Sequence, residues 1–442
     1  MPRTGYKSDK YLTINPDKWQ AFEPGDVISG RVQNEKQIKG GVASVTVRLV
    51  GRAKTKIAVK MEHGSSFYRN RFNFFDESEA SWVLFEDSGP SDANSPNSWQ
   101  FKAQIPRTMS PSAIAADGKS TTSFLPLDSQ TVAQSVIPDI FHYTKTGSWS
   151  GTTLACYVEY YMVAELRTPK NKCYTATLPL VIYSPASPGP LSAFDFGFQL
   201  TSDPFSVCQK PKAFWNRSKD AGQACHLEIY YPTRLQLGSK MPLQLRVAQA
   251  KPEFDSDSCA PDLQIRLDSL KVTIKSVTTG ICKGTFSPKK MAMTEKYVVE
   301  SKSLLPSEME SIFIPTAQGV QPLDLGELLE LMLEHDGITI KGARKGKEFK
   351  PSLSPDLTTF CITHAHQLIW DLRVEICGTS QFHKTQVTSN VQIDGPSRQT
   401  MEQNISQLTD EERKAKFKAA GTAAELGLEV LNVTKEIIEA FS

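Results

Sequence analysis

The chain has 442 residues, with 50 Lys and Arg against 48 Asp and Glu and 39% apolar side chains. That length points to two or three domains, and the near balance of charge provides no whole-molecule field that would select nucleic acid or a membrane. With 27 prolines and 26 glycines it reads as turn-rich β-structure rather than a helical bundle. The first ten residues lack the apolar run of a signal peptide and no segment reaches spanning length, so an intracellular chain is expected. Its eight cysteines include no Cys-x-x-Cys pair, which predicts free thiols rather than a zinc site or a disulfide framework.

In chain order, Tyr11 to Ile14 is expected as an edge strand. Pro24-Gly25-Asp26 is a turn, after which Val27-Ile-Ser-Gly-Arg-Val32 and the alternating segment from Val45 are expected to pair as an opening hairpin. Past Gly51, read as a bulge or bend, Arg52, Lys54 and Lys56 continue the face of Arg48, while Ala53 and Ile57 continue the apolar side. Strands are predicted at Ser66 to Phe75, Trp82 to Phe85 and Trp99 to Pro106, with a long loop from Arg107 to about Gln134. Leu154 to Leu166 and Thr175 to Tyr183 follow as strands. Residues 10–183 make a first domain, and the Ser-Pro-Ala-Ser-Pro-Gly-Pro run at 184–190 opens a linker over 184–223.

A second domain spans 224–397. Strands are expected at Leu227 to Tyr231, Leu243 to Val247, Leu263 to Val277, Thr359 to Glu375 and Gln386 to Ile393, with an irregular insertion over about 283–356. Within that insertion, Tyr297 to Glu300 reads as a strand and Leu325 to Glu334 as a short helix, because Leu325, Leu328, Leu329 and Met332 fall at helical spacing. At the C-terminus, 403–442 is expected as an amphipathic helix. There Thr409 and Glu412 have capping-box spacing, and Phe417, Ala420, Ala424, Leu428 and Leu431 form one stripe.

Several of these segments resemble the arrestin-like family, of the α-arrestin type. The resemblance is carried by Pro24-Gly25-Asp26, Ser29-Gly30-Arg31-Val32, Leu49-Val50-Gly51, the strand ending Ala164-Glu165-Leu166, the turn Leu235 to Leu243 and the late strand Ala365 to Val374. Ile137-Pro-Asp-Ile-Phe141 departs from the family's Leu-Pro-x-Ser-Phe at Ile140. The resemblance implies two tandem antiparallel immunoglobulin-like β-sandwiches. It also implies a non-enzymatic cytoplasmic adaptor that binds tails or loops of membrane proteins, is recruited to the plasma membrane or endosomes, and directs endocytosis or sorting. Recruitment of a ubiquitin ligase belongs to the same implication, although no Pro-Pro-x-Tyr tetrapeptide is present. Two rival classes stay open: a structural or sorting-coat subunit of the same architecture, and a metal-dependent enzyme.

The residues offer few sites for chemistry. Phosphate-loop, nucleophile-elbow and metalloprotease signatures are absent, so no catalytic residue, cofactor, metal or nucleic-acid partner is expected. His364 and His366 share a strand face, as two ligands of one metal would, but no third ligand has a linked spacing. Arg48, Arg52, Lys54 and Lys56 form the first candidate site: cations on a rigid strand can hold a phosphorylated or acidic segment through charge-assisted hydrogen bonds. The competing reading is a solvated face that discourages edge pairing. Lys341, Arg344, Lys345, Lys347 and Lys350 form a second patch, where contact with an anionic surface competes with plain solvation.

Overall fold

The computed structural model describes residues 9, 11–35, 41–62, 64–86, 97–117, 120–147, 151–183, 196–200, 205–207, 223–249, 264–300, 312–316, 320–334, 337–340, 353–376 and 381–395. The protein is mostly β-sheet, in several largely antiparallel sheets with few helices. Its first half contains β1 (Leu12–Pro16), β2 (Val27–Asn34), β3 (Ser44–Met61), β4 (Gly64–Asn73), β5 (Ser81–Glu86), β6 (Ser98–Gln104), β7 (Phe141–Thr146), β8 (Thr153–Arg167) and β9 (Cys173–Leu180). β1, β2 and β6 form one sheet, with β1 at its edge; β4, β3, β8 and β7 form another, joined by β5 and β9.

The organising element is β3, an 18-residue strand. Along one edge it pairs with β8 from Ser44 to Ala58; along the other it pairs first with β5 and then, from Arg52, with β4. Gly51 stands at this change of partner, and a Cβ there would lie 2.6 Å from the Tyr160 ring and 2.7 Å from that of Phe75. Close ring packing, rather than a bulge, therefore demands the glycine. The expected opening hairpin does not form, because β2 and β3 belong to different sheets. Their alternation fixes which face is apolar and leaves the pairing partner open, and both apolar faces meet in one core containing Ile28, Val32, Val45, Val47 and Leu49. The long loop after β6 also holds two short helices, Pro111–Asp117 and Ser129–Gln134. Asp128 caps the second by accepting from Thr131 N at 2.9 Å.

The second half contains β10 (Phe196–Leu200), β11 (Phe205–Val207), β12 (Gln223–Pro232), β13 (Arg234–Gln236), β14 (Ser239–Lys240), β15 (Gln244–Gln249), β16 (Ile265–Cys282), β17 (Lys289–Glu300), β18 (Phe313–Ile314), β19 (Leu323–Asp324), β20 (Met332–Glu334), β21 (Gly337–Thr339), β22 (Leu357–Thr358), β23 (Ile362–Ile376) and β24 (Gln381–Asp394). β10 and β11 lie inside the stretch read as a linker and are hydrogen-bonded to β12. The expected helix at 325–334 is one turn, Leu325–Leu328. Glu330 takes φ +48° and β20 follows, since Leu331 and Leu333 alternate into the core where a continued helix would turn away. The segment 403–442 and the patch from Lys341 to Lys350 lie outside the described residues.

β16 repeats the role of β3: 18 residues long, it pairs with β23 on one edge and β17 on the other. β16 and β23 are longer than the second core and run on into the first. Leu270, Val272 and Ile274 of β16 and Leu368, Trp370 and Leu372 of β23 belong to the second core, whereas Cys282 and Ile362 belong to the first. Side chains from both halves close the junction. Thr55 donates to the Cys361 carbonyl at 3.0 Å, the Asn70 amide donates to the carbonyls of Thr122 and Ile281 at 2.9 and 3.3 Å, and Phe72 stacks on Phe360.

Candidate cationic face

Arg48, Arg52, Lys54 and Lys56 do share one face of β3, opposite the core residues Leu49, Ala53 and Ile57. Their surroundings divide them. Arg48 pairs with Glu77 and, at 2.9 Å, with Glu165. Arg52 and Lys54 are buried, 5% and 8% exposed, so neither is presented to solvent or to a ligand as both readings of the row require. Lys56 is half-buried, with its Nζ 4.7 Å from the centre of the Phe67 ring.

The reason for the burial lies on β8. In this apolar strand Glu159 stands directly opposite Arg52, and its Oε1 accepts from Arg52 Nε and Lys54 Nζ, each at 2.5 Å. Tyr161 and Tyr157 continue the same face, with Arg52 5.1 Å and Lys54 5.9 Å from their ring centres. The cation stems and aromatic rings thus bury one another around a single carboxylate. Burial lowers the Lys54 pKa, the Glu159 charge opposes that shift, and the Arg52 charge adds to it. Burial followed by the Arg69 charge likewise lowers that of Lys56. Nearby, burial pulls His142 down to about 4. Arg52 Nη2 and Glu159 Oε2 are buried without a hydrogen-bond partner.

Beyond this cluster, β4 adds Arg69 opposite Lys56 and Arg71 opposite Lys54, both exposed. The cations that a ligand can reach are therefore Lys56, Arg69 and Arg71, while Arg52, Lys54 and Glu159 form an ionic floor behind them. Neither Glu159 nor the β4 arginines were singled out from sequence. A lone carboxylate inside Leu154 to Met162 was the available signal, because a buried charge requires a partner.

His364 and His366 share the face of β23 and lie where that strand passes from one core to the other. The His364 Nδ1 is 2.8 Å from the Thr278 hydroxyl, its ring lies 5.2 Å from that of Phe141, and His366 Nδ1 pairs with Asp356. Burial, then the neighbouring His366, holds the His364 pKa at about 3. Among the described residues no three His, Cys, Asp or Glu side chains are grouped as a metal site. Close to the junction, Cys156, Cys282 and Cys361 are free and buried; burial pushes the last two up to about 12. No helix among the described residues is long and apolar enough to cross a membrane. No protein-family model matches the sequence, and no curated protein matches it either.

Proposed function

We propose that this chain is an arrestin-like adaptor built from two tandem immunoglobulin-like β-sandwiches, acting without catalysis on cytoplasmic segments of membrane proteins. The observation that carries the reading is the first-half face, where Lys56, Arg69 and Arg71 stand at the surface of two paired strands backed by the Arg52, Lys54 and Glu159 cluster. Such a face holds carboxylate or phosphate groups of an extended peptide, because its cations sit on paired strands and lose little freedom on binding. Two further observations support the architecture: each half has its own core, and an 18-residue strand is central to each. The expected consequence is sorting or endocytosis of the bound cargo. Any ubiquitin-ligase recruitment proceeds through a signal other than Pro-Pro-x-Tyr, which the sequence lacks.

The test is affinity capture from cells with the full chain, before and after phosphatase treatment. Recovery of transporters or receptors that is lost on dephosphorylation agrees with the reading. Recovery of a fixed set of endosomal subunits, indifferent to phosphatase, favours a coat component and rejects it.

A further inference from the structure

Between β16 and β17 the chain turns through Lys283-Gly284-Thr285-Phe286-Ser287-Pro288, and Phe286 at the tip is 101% exposed. The turn is tight: a Cβ on Gly284 would lie 2.0 Å from the Ser287 carbonyl oxygen. A whole aromatic ring held in water forgoes the burial that ordinarily stabilises it, and what sets Phe286 apart from a singly exposed apolar side chain is the charge around it. Cations flank it on both sides. On one side, Lys283 N donates to the carbonyl of Arg69, at 3.3 Å. On the other, the Nζ atoms of Lys289 and Lys290 lie 5.7 and 5.2 Å from the rings of Tyr68 and Phe124. Two residues before Arg69, Phe67 is 51% exposed between the cations of Lys56 and Arg69. Across 54–71 and 280–292, Glu62 is the only carboxylate in the sequence.

We propose that this turn and the adjoining end of β4 dock the protein on an anionic bilayer, with Phe286 entering the headgroup layer and the flanking cations meeting lipid phosphates and carboxylates. A protruding ring favours a membrane over a peptide, since peptide and small-ligand sites enclose their apolar anchors in concave pockets. Aromatic rings rest well at the bilayer interface, and each nearby cation strengthens attachment to anionic lipid about fivefold. This docking does not depend on cargo.

The experiment is sedimentation of the full chain with vesicles of phosphatidylcholine alone, or with roughly a third of it replaced by phosphatidylserine. The expected result is binding to the anionic vesicles only, weakened by added salt. Phe286→Ser should lower partition about tenfold through lost apolar contact, and Lys289→Gln with Lys290→Gln about 25-fold. Melting temperatures should be unchanged, as these side chains are exposed. Lys102→Glu, on the exposed side of β6, should bind like the parent. The proposal is overturned if anionic vesicles do not bind, if Phe286→Ser binds normally, or if Lys102→Glu loses as much as the double lysine variant. The assay contains no cargo, so its failure leaves the adaptor reading standing.

Discussion

Replacing Glu159 by Gln tests the ionic floor of the cationic face. The substitution keeps the side-chain volume but leaves Arg52 and Lys54, both buried, without the carboxylate that accepts from each at 2.5 Å. Removing one partner of a buried ion pair costs about 3–5 kcal/mol, because the remaining charge is neither solvated nor compensated. For a domain of this size that lowers the melting temperature by roughly 10 °C. Lys54 can relieve part of the cost by losing its proton, since burial already pulls its pKa below 10.5. The unfolded chain then binds more protons than the folded one, so the deficit should narrow as pH rises toward 10.5. Urea unfolding of the parent and Glu159→Gln at neutral and alkaline pH reads both effects. A neutral-pH difference below about 0.5 kcal/mol, the range of ordinary surface changes, would mean that water reaches the two cations and that no floor exists. Replacing Arg52, Lys54 and Glu159 together by apolar residues should restore much of the loss.

Other outcomes follow from the junction. The folded state holds His364 near pKa 3 against 6.5 for the free side chain. The stability that its neutral form contributes is complete above pH 6.5 and is lost progressively as pH falls from 6.5 toward 3, amounting to about 2 kcal/mol at pH 5. His364→Gln should flatten that part of the stability curve, and an unchanged acid slope would contradict the assignment. Gly280→Ala places a Cβ 2.5 Å from Thr55 Cγ2 and 2.8 Å from Leu154 Cδ1; overpacking of this kind costs about 1–3 kcal/mol, read by thermal melting. Asn70→Ala leaves the Thr122 and Ile281 carbonyls without its amide and should cost about 1–3 kcal/mol. The hydrogen bond to Ile281 spans the halves, so Cys282 and Cys361 should react faster with a thiol reagent in this variant.

Much of the β-structure was legible because a half-buried strand records its faces at period two. Val45, Val47 and Leu49 against Arg48, and Leu368, Trp370 and Leu372 on β23, are cases where alternation alone assigns the buried side. Pairing was less legible: the same alternation in β2 and β3 is compatible with a hairpin or with two sheets facing each other, and only long-range contacts decide. Short elements misled for a related reason. Leu325, Leu328, Leu329 and Met332 fit a helical stripe, yet the turn at Glu330 converts the end of that stripe to strand. At the candidate site, sequence placed the four β3 cations on one face, but their exposure depended on Glu159, 107 residues from Arg52 in the chain. Phe286 is not legible from sequence, because a single aromatic in a lysine-flanked turn carries no periodic signal.

The proposed adaptor role requires that the exposed cations beside the Arg52, Lys54 and Glu159 cluster hold acidic or phosphorylated segments. Calorimetric titration of the full chain with an acidic peptide in phosphorylated and unphosphorylated forms tests this, comparing the parent with Arg69→Glu and Arg71→Glu combined, both residues being exposed. The parent should bind the phosphorylated form more tightly and the double variant should bind neither form, with a melting temperature within about 2 °C of the parent because exposed charges contribute little to folding. Equal binding by parent and variant, or no preference for the phosphorylated form in the parent, would contradict it.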